Sequence, residues 1–150
     1  MMRAHQLLCS CFGIGYLRGG GTFAAFIFAA AWYLLFRNHL EPVFALVLVL
    51  VVTLMGTWSS GKVEAGWGKD SSRVVIDEVA GMGISLLFLP VRWPYIITAF
   101  VLFRFFDILK PLYIRRLEKL PGGLGVMADD LLAGIYSNAI VQIIVISNLY

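Results

Sequence analysis

The chain has 150 residues, of which 60% are hydrophobic and only 14% charged, with a mean hydropathy of +0.85. A soluble domain usually carries about a quarter charged residues, so these numbers point to an integral membrane protein of one domain, residues 1–150. The net charge of +3, without a basic tail or Lys/Arg run, excludes an electrostatic nucleic-acid binder. Cys9 and Cys11 stand one residue apart and no Cys/His cluster has zinc spacing.

The N-terminal stretch "MMRAHQLLCSCFGIGYLRGGG" has a short apolar run broken by Arg18 and three glycines. It is expected to be a retained, cytoplasmic, amphipathic segment and not a removed signal. Five apolar segments follow, at 20–36, 42–58, 74–91, 93–109 and 131–147. A helix needs about 17–25 residues to cross the bilayer core, and all five lie near the lower limit. The expected fold is therefore all-α, a polytopic membrane bundle of about five hydrophobic helices. Gly and Pro at 61, 66, 68, 90, 94, 111 and "PGGLG" at 121–125 supply the turns.

Lys/Arg bias sets orientation. With the N-terminus inside, the cytoplasmic parts hold Arg3, Arg18, Lys62, Lys69, Arg73, Lys110, Arg115, Arg116 and Lys119, and the outer loops hold Arg37 and Arg92. Nine against two predicts a cytoplasmic N-terminus. The same topology gathers the acids. Asp77 and Glu78 fall at the cytoplasmic start of the third segment, Asp107 at the cytoplasmic end of the fourth, and Asp129 and Asp130 at the cytoplasmic start of the fifth. Five of the nine acids thus share one depth on three helix ends.

Helical spacing puts Asp77, Gly81 and Ser85 on one face, and Asp130, Gly134 and Ser137 on another. Small-residue faces let membrane helices approach closely, so these acids point toward other helices. Arg104 and Asp107 are about 60° apart around their helix. Acids in a first turn are also favoured by the helix dipole alone, and an Arg104–Asp107 pair can be structural. Glu41, Glu64, Asp70 and Glu118 read as solvated loop charges. Ionisable groups gathered at membrane depth mark a functional site. Clustered carboxylates repel unless a divalent cation relieves them, and Mg²⁺ takes such hard oxygen ligands together with substrate phosphate. Arg104, Lys110 and Arg73 suit a phosphate anion, and "GIGYLRGGGT" can turn backbone N–H groups toward one.

Three motifs in order, "VVIDEVAGM", "FVLFRFFDILKP" and "GGLGVMADDLLAGI", make the chain resemble the bacterial phosphatidylglycerophosphatase A family. The resemblance covers roughly 74–135, with a weaker match at "GIGYLRGGGTF". It implies a Mg²⁺-dependent lipid phosphatase that converts phosphatidylglycerophosphate to phosphatidylglycerol at the cytoplasmic face of the inner membrane. It falls on Asp77 and Glu78, on Arg104, Asp107, Lys110 and Pro111, and on Gly122, Gly123, Gly125, Asp129, Asp130 and Gly134. The N-terminal motif departs: Gly21 and Thr22 stand, but the family's prolines and its Gly-Ser are absent around 18–25.

On this reading Asp77, Asp107 and Asp129 or Asp130 hold the metal. Glu78, or the remaining acid of the 129/130 pair, is the general base. Arg104, Lys110 and Thr22 face the phosphate. Water and aspartate both remain open as nucleophile. The competing readings are a small cation or proton transporter that uses the same carboxylates, and a non-catalytic membrane scaffold.

Overall fold

The computed structural model describes residues 2–39, 41–69 and 71–147. These form seven α-helices and no strand. They are α1 (Met2–Cys9), α2 (Gly20–Phe36), α3 (Pro42–Trp67), α4 (Ile76–Leu86), α5 (Trp93–Leu109), α6 (Ile114–Leu117) and α7 (Gly123–Ile146), with one 3₁₀ turn at Ile14–Tyr16 before α2. Asp70 lies outside the described residues.

The boundaries follow local chemistry. α3 and α5 each open with proline in the first turn, where its missing N–H costs nothing. Lys110 adopts the left-handed conformation, φ 47, and the proline after it cannot extend the helix. α2 and α5 coincide with the apolar segments expected at 20–36 and 93–109. α3 runs on to Trp67 instead of ending near 58, and α7 starts at Gly123 instead of 131. In both cases the helix continues through polar residues that hydropathy alone reads as loop. Glu64 consequently sits on α3 and not in a loop.

The third segment differs most. α4 has 11 residues, about 16 Å at 1.5 Å per residue, against a bilayer core of about 30 Å. It stops before Phe88, which has φ 61, and before Pro90, which disfavours helix at the residue ahead of it. A helix ending in an apolar surrounding leaves carbonyls without partners. Two polar residues of α7 supply them. Asn138 Nδ2 donates to the carbonyls of Ser85 at 3.1 Å and Leu87 at 2.8 Å. Gln142 Nε2 donates to those of Leu87 and Phe88, each at 3.4 Å. This accounts for an Asn and a Gln inside an otherwise greasy helix.

α7 is the central element and packs against α3, α4, α5 and α6. Its tightest neighbour is α4. At their crossing a Cβ on Gly134 would overlap the Gly81 carbonyl, and one on Gly81 would lie 2.6 Å from the Asp130 carbonyl oxygen. The main core joins Ala25, Ala29 and Trp32 of α2 with Val49, Met82, Phe103, Ala133 and Val141. A second cluster, with Cys9, Val63, Ile76, Ala80 and Met127, links α1 and α3 to the beginnings of α4 and α7.

α3 and α7 are long and apolar enough to cross a membrane by length and composition. α3 also turns Val43, Phe44, Val47, Leu50, Val51 and Leu54 outward. A helix that is apolar all round belongs in a core or a bilayer, and these side chains are not in the core.

Candidate active site

The crossing of α4 and α7 decides which acids meet. Asp77 precedes Gly81 by one turn and Asp130 precedes Gly134 by one turn, so the glycine contact sets the two carboxylates side by side. Glu78 joins them. One carboxylate oxygen from each of Asp77, Glu78 and Asp130 lies within 4.8 Å of the others. Glu78 reaches this position because Gly21, at the start of α2, has no side chain; a Cβ there would overlap the Glu78 carboxylate.

The other two acids are held by cations. Arg104 Nη1 pairs with Asp107 Oδ2, one turn along α5, and lies 3.9 Å from Glu78 Oε1. Lys110 Nζ donates to Asp129 Oδ2 at 2.6 Å and pairs with Glu118. Glu118 is therefore an ion-pair partner and not the solvated loop charge its sequence position suggests. Glu41 pairs with His39 at the far end of α2, 3.0 Å apart and exposed. Lys110 loses basicity to burial, but its bonds to Asp129 and Glu118 outweigh this and raise its pKa, so it is a fixed cation.

One cavity of about 690 Å³ contains every site residue expected from sequence: Thr22, Asp77, Glu78, Arg104, Asp107, Lys110, Asp129 and Asp130. It also contains residues to which no role attached in the sequence, Tyr16, Ser71 and Ser72. Their signal was weak, since a Ser-Ser turn reads as a linker. Asp107, Asp129 and Asp130 are deeply buried, with 8%, 4% and 3% exposure.

Five buried polar atoms here lack a hydrogen-bond partner: Asp77 Oδ1, Glu78 Oε2, Asp129 Oδ1, Asp130 Oδ2 and Arg104 Nε. Buried carboxylate oxygens without partners are costly, and Asp77, Glu78 and Asp130, which bring one oxygen each within 4.8 Å of the others, are the kind of donor set a hard divalent cation takes. The residues present therefore fit Mg²⁺. The arrangement differs in detail from the expected ligand set: Glu78 stands with Asp77 and Asp130, while Asp107 and Asp129 each already hold a cationic side chain.

Comparison with known proteins places the chain among lipid phosphatases. The family model for phosphatidylglycerophosphatase A matches residues 7–145. A Bacteroides thetaiotaomicron protein with the provisional name phosphatidylinositol-3-phosphatase is 45% identical over 131 residues, covering 82% of this chain and 81% of its own. A phosphatidylglycerophosphatase A of Haemophilus influenzae is 43% identical over 99 residues, 64% of this chain and 61% of that protein. The phosphatidylglycerophosphatase A of Escherichia coli is 32% identical over 127 residues, 83% and 73% respectively. No solved structure gives a significant match. With its motifs gathered in one acid-lined cavity and the family model spanning nearly its whole length, the chain belongs to the phosphatidylglycerophosphatase A family of phosphatases.

Proposed function

We propose that this protein hydrolyses phosphatidylglycerophosphate to phosphatidylglycerol and phosphate in a Mg²⁺-dependent reaction, at the cytoplasmic side of the bacterial inner membrane. The observation that carries the proposal is the set of four unpartnered buried carboxylate oxygens on residues that line one cavity together with Arg104 and Lys110. Asp77, Glu78 and Asp130 are the metal-holding group in this reading. Bound there, the ion supplies Lewis-acid polarisation of the phosphoryl group and lowers the pKa of a water.

The chain's own groups do the rest. Arg104 and Lys110 neutralise charge on the phosphoryl oxygens as it develops. Asp129 is tethered through one oxygen to Lys110 and has the other free, so it accepts the proton of the attacking water. The new bond forms from that water to phosphorus, the bond between phosphorus and the glycerol oxygen breaks, and the leaving oxygen takes the proton that Asp129 has accepted. Thr22 and the N–H groups at the start of α2 border the cavity and suit a phosphate oxygen. The headgroup enters this cavity while the acyl chains stay in the bilayer during turnover.

The name of the Bacteroides relative supports a second substrate, phosphatidylinositol 3-phosphate. A cation or proton path is the weaker reading, because it needs polar groups across the whole membrane thickness and these acids gather around one cavity.

The test is phosphate release by purified protein from both lipids, with and without EDTA. Metal-dependent release is expected, with phosphatidylglycerophosphate preferred. No metal-dependent release from either lipid refutes the enzyme reading. Asp77→Asn and Asp130→Asn should each remove at least about 99% of activity, in line with removal of a metal ligand.

A further inference from the structure

The cavity has two ends of different character. Its floor carries the five acids, Arg104 and Lys110. Its rim, built from 15–22 and 71–74, carries Tyr16, Arg18, Ser71, Ser72 and Arg73, and no acid among the described residues. Neither Arg18 nor Arg73 forms an ion pair among the described residues.

The rim is constructed, not loose. The Val74 N–H donates to the Ser71 carbonyl at 2.9 Å, and the Val75 N–H to the Cys9 carbonyl at 2.8 Å. The Arg73 N–H donates to Ser71 Oγ at 3.4 Å. Gly15 packs so closely on this turn that a Cβ would overlap the Arg73 carbonyl. The Arg73 guanidinium lies 5.8 Å from the ring centres of both Tyr16 and Trp67, which meet edge-on at 6.0 Å. Two aromatic neighbours within cation–π range restrict its swing and leave its N–H fork available to an anion.

A cavity of 690 Å³ is the size of a complete small-molecule site, about 300–1,000 Å³. That is more than one phosphomonoester and its counter-ion fill. We propose that Arg73, with the hydroxyls of Ser71 and Ser72, forms a second anion subsite that binds the phosphodiester of the lipid while the floor takes the phosphomonoester. This rests on the floor being a phosphomonoesterase site. It defines the substrate class as a lipid whose terminal phosphate and diester phosphate flank a short polyol. A lipid with a single terminal phosphate occupies only the floor.

The kinetic test uses the full chain in detergent micelles and compares phosphatidylglycerophosphate with phosphatidic acid, whose only phosphate is a monoester. In Arg73→Ala, KM for phosphatidylglycerophosphate should rise at least about tenfold, equivalent to about 1.4 kcal/mol. The ratio of kcat/KM between the two lipids should fall by the same factor, and Arg73→Lys should recover part of it. Equal losses on both lipids, or no loss, overturn the subsite.

A second arm needs no turnover. Trp67 adjoins Arg73, so phosphatidylglycerol, which carries only the diester, should shift the emission lost in Trp67→Phe, and diacylglycerol should not. Arg73→Ala should abolish the shift. Absence of a phosphatidylglycerol-specific shift overturns the subsite even if hydrolysis is confirmed. A specific shift in a protein that releases no phosphate refutes the reaction and leaves the subsite standing.

Discussion

Replacing Gly81 with alanine tests how the site is built. A Cβ at this position lies 2.6 Å from the Asp130 carbonyl oxygen and 2.6 Å from Phe103 Cε2. Ordinary contact needs about 3.5 Å, so α4 and α7 must separate by about 0.9 Å, or tilt to the same effect. The Asp130 carbonyl is backbone and cannot rotate away, and Phe103 is fully buried. Overpacking of this kind costs about 1–3 kcal/mol.

The functional consequence is larger than the stability loss. Asp77 lies one turn before Gly81, and Asp130 is the residue struck. Metal sites tolerate ligand displacements of about 0.2 Å, several times less than the required separation. Gly81→Ala is therefore expected to raise the Mg²⁺ concentration for half-maximal phosphate release by about 10–100-fold, in protein that remains folded in detergent. Gly66→Ala is the control. Nothing lies within 4 Å of a Cβ there, and alanine in an exposed helix is favoured by about 0.5–1 kcal/mol. A magnesium titration with a thermal melt reads both. Unchanged Mg²⁺ dependence and melting in Gly81→Ala refutes the claim that this crossing sets the carboxylates.

The Lys110 network gives a ranked prediction. Lys110→Ala leaves Asp129, 4% exposed, without its cation, so it should cost about 2–4 kcal/mol and nearly all turnover. Glu118→Gln removes a partner that is one-third exposed and should cost under about 1 kcal/mol, with activity within about fivefold; denaturant melts and phosphate release decide, and the reverse order refutes the assignment. Asn138→Ala should cost about 1–3 kcal/mol, because it uncaps the carbonyls of Ser85 and Leu87, and a neutral melt would refute the capping role. Burial, then the negative charge of Glu78, pushes the Cys11 thiol up to about 12. Its thiolate is scarce at pH 8, and iodoacetamide should label it at least about a hundredfold more slowly than an ordinary thiol; labelling at the free-thiol rate would contradict that environment.

Much of the fold was legible because long apolar runs read as helices. α2 and α5 begin and end where the apolar runs do. α3 and α7 were cut short in the sequence reading because their polar thirds look like loop. Ser59 and Ser60 of α3 and Asp129 and Asp130 of α7 are buried by neighbouring helices, which hydropathy cannot register. The early end of α4 was also hidden, since the residues that permit it, Asn138 and Gln142, lie more than fifty positions away.

The sequence by itself determined the all-helical class, the extents of α2 and α5, and the identity of the acids, because charge near hydrocarbon is costly and its placement carries information. The spacing of Asp77 with Gly81 and of Asp130 with Gly134 determined which faces turn inward. Only the tertiary structure decided how five similar carboxylates divide. The Gly81–Gly134 contact fixes the distance between two helices, and the missing side chain of Gly21 admits Glu78. Asp77, Glu78 and Asp130 are thereby brought together, one oxygen of each within 4.8 Å of the others. Asp107 and Asp129 go to Arg104 and Lys110, whose reach depends on where α5 ends relative to α7. Such pairings are differences of a few ångströms between distant segments, and periodicity along one chain does not contain them.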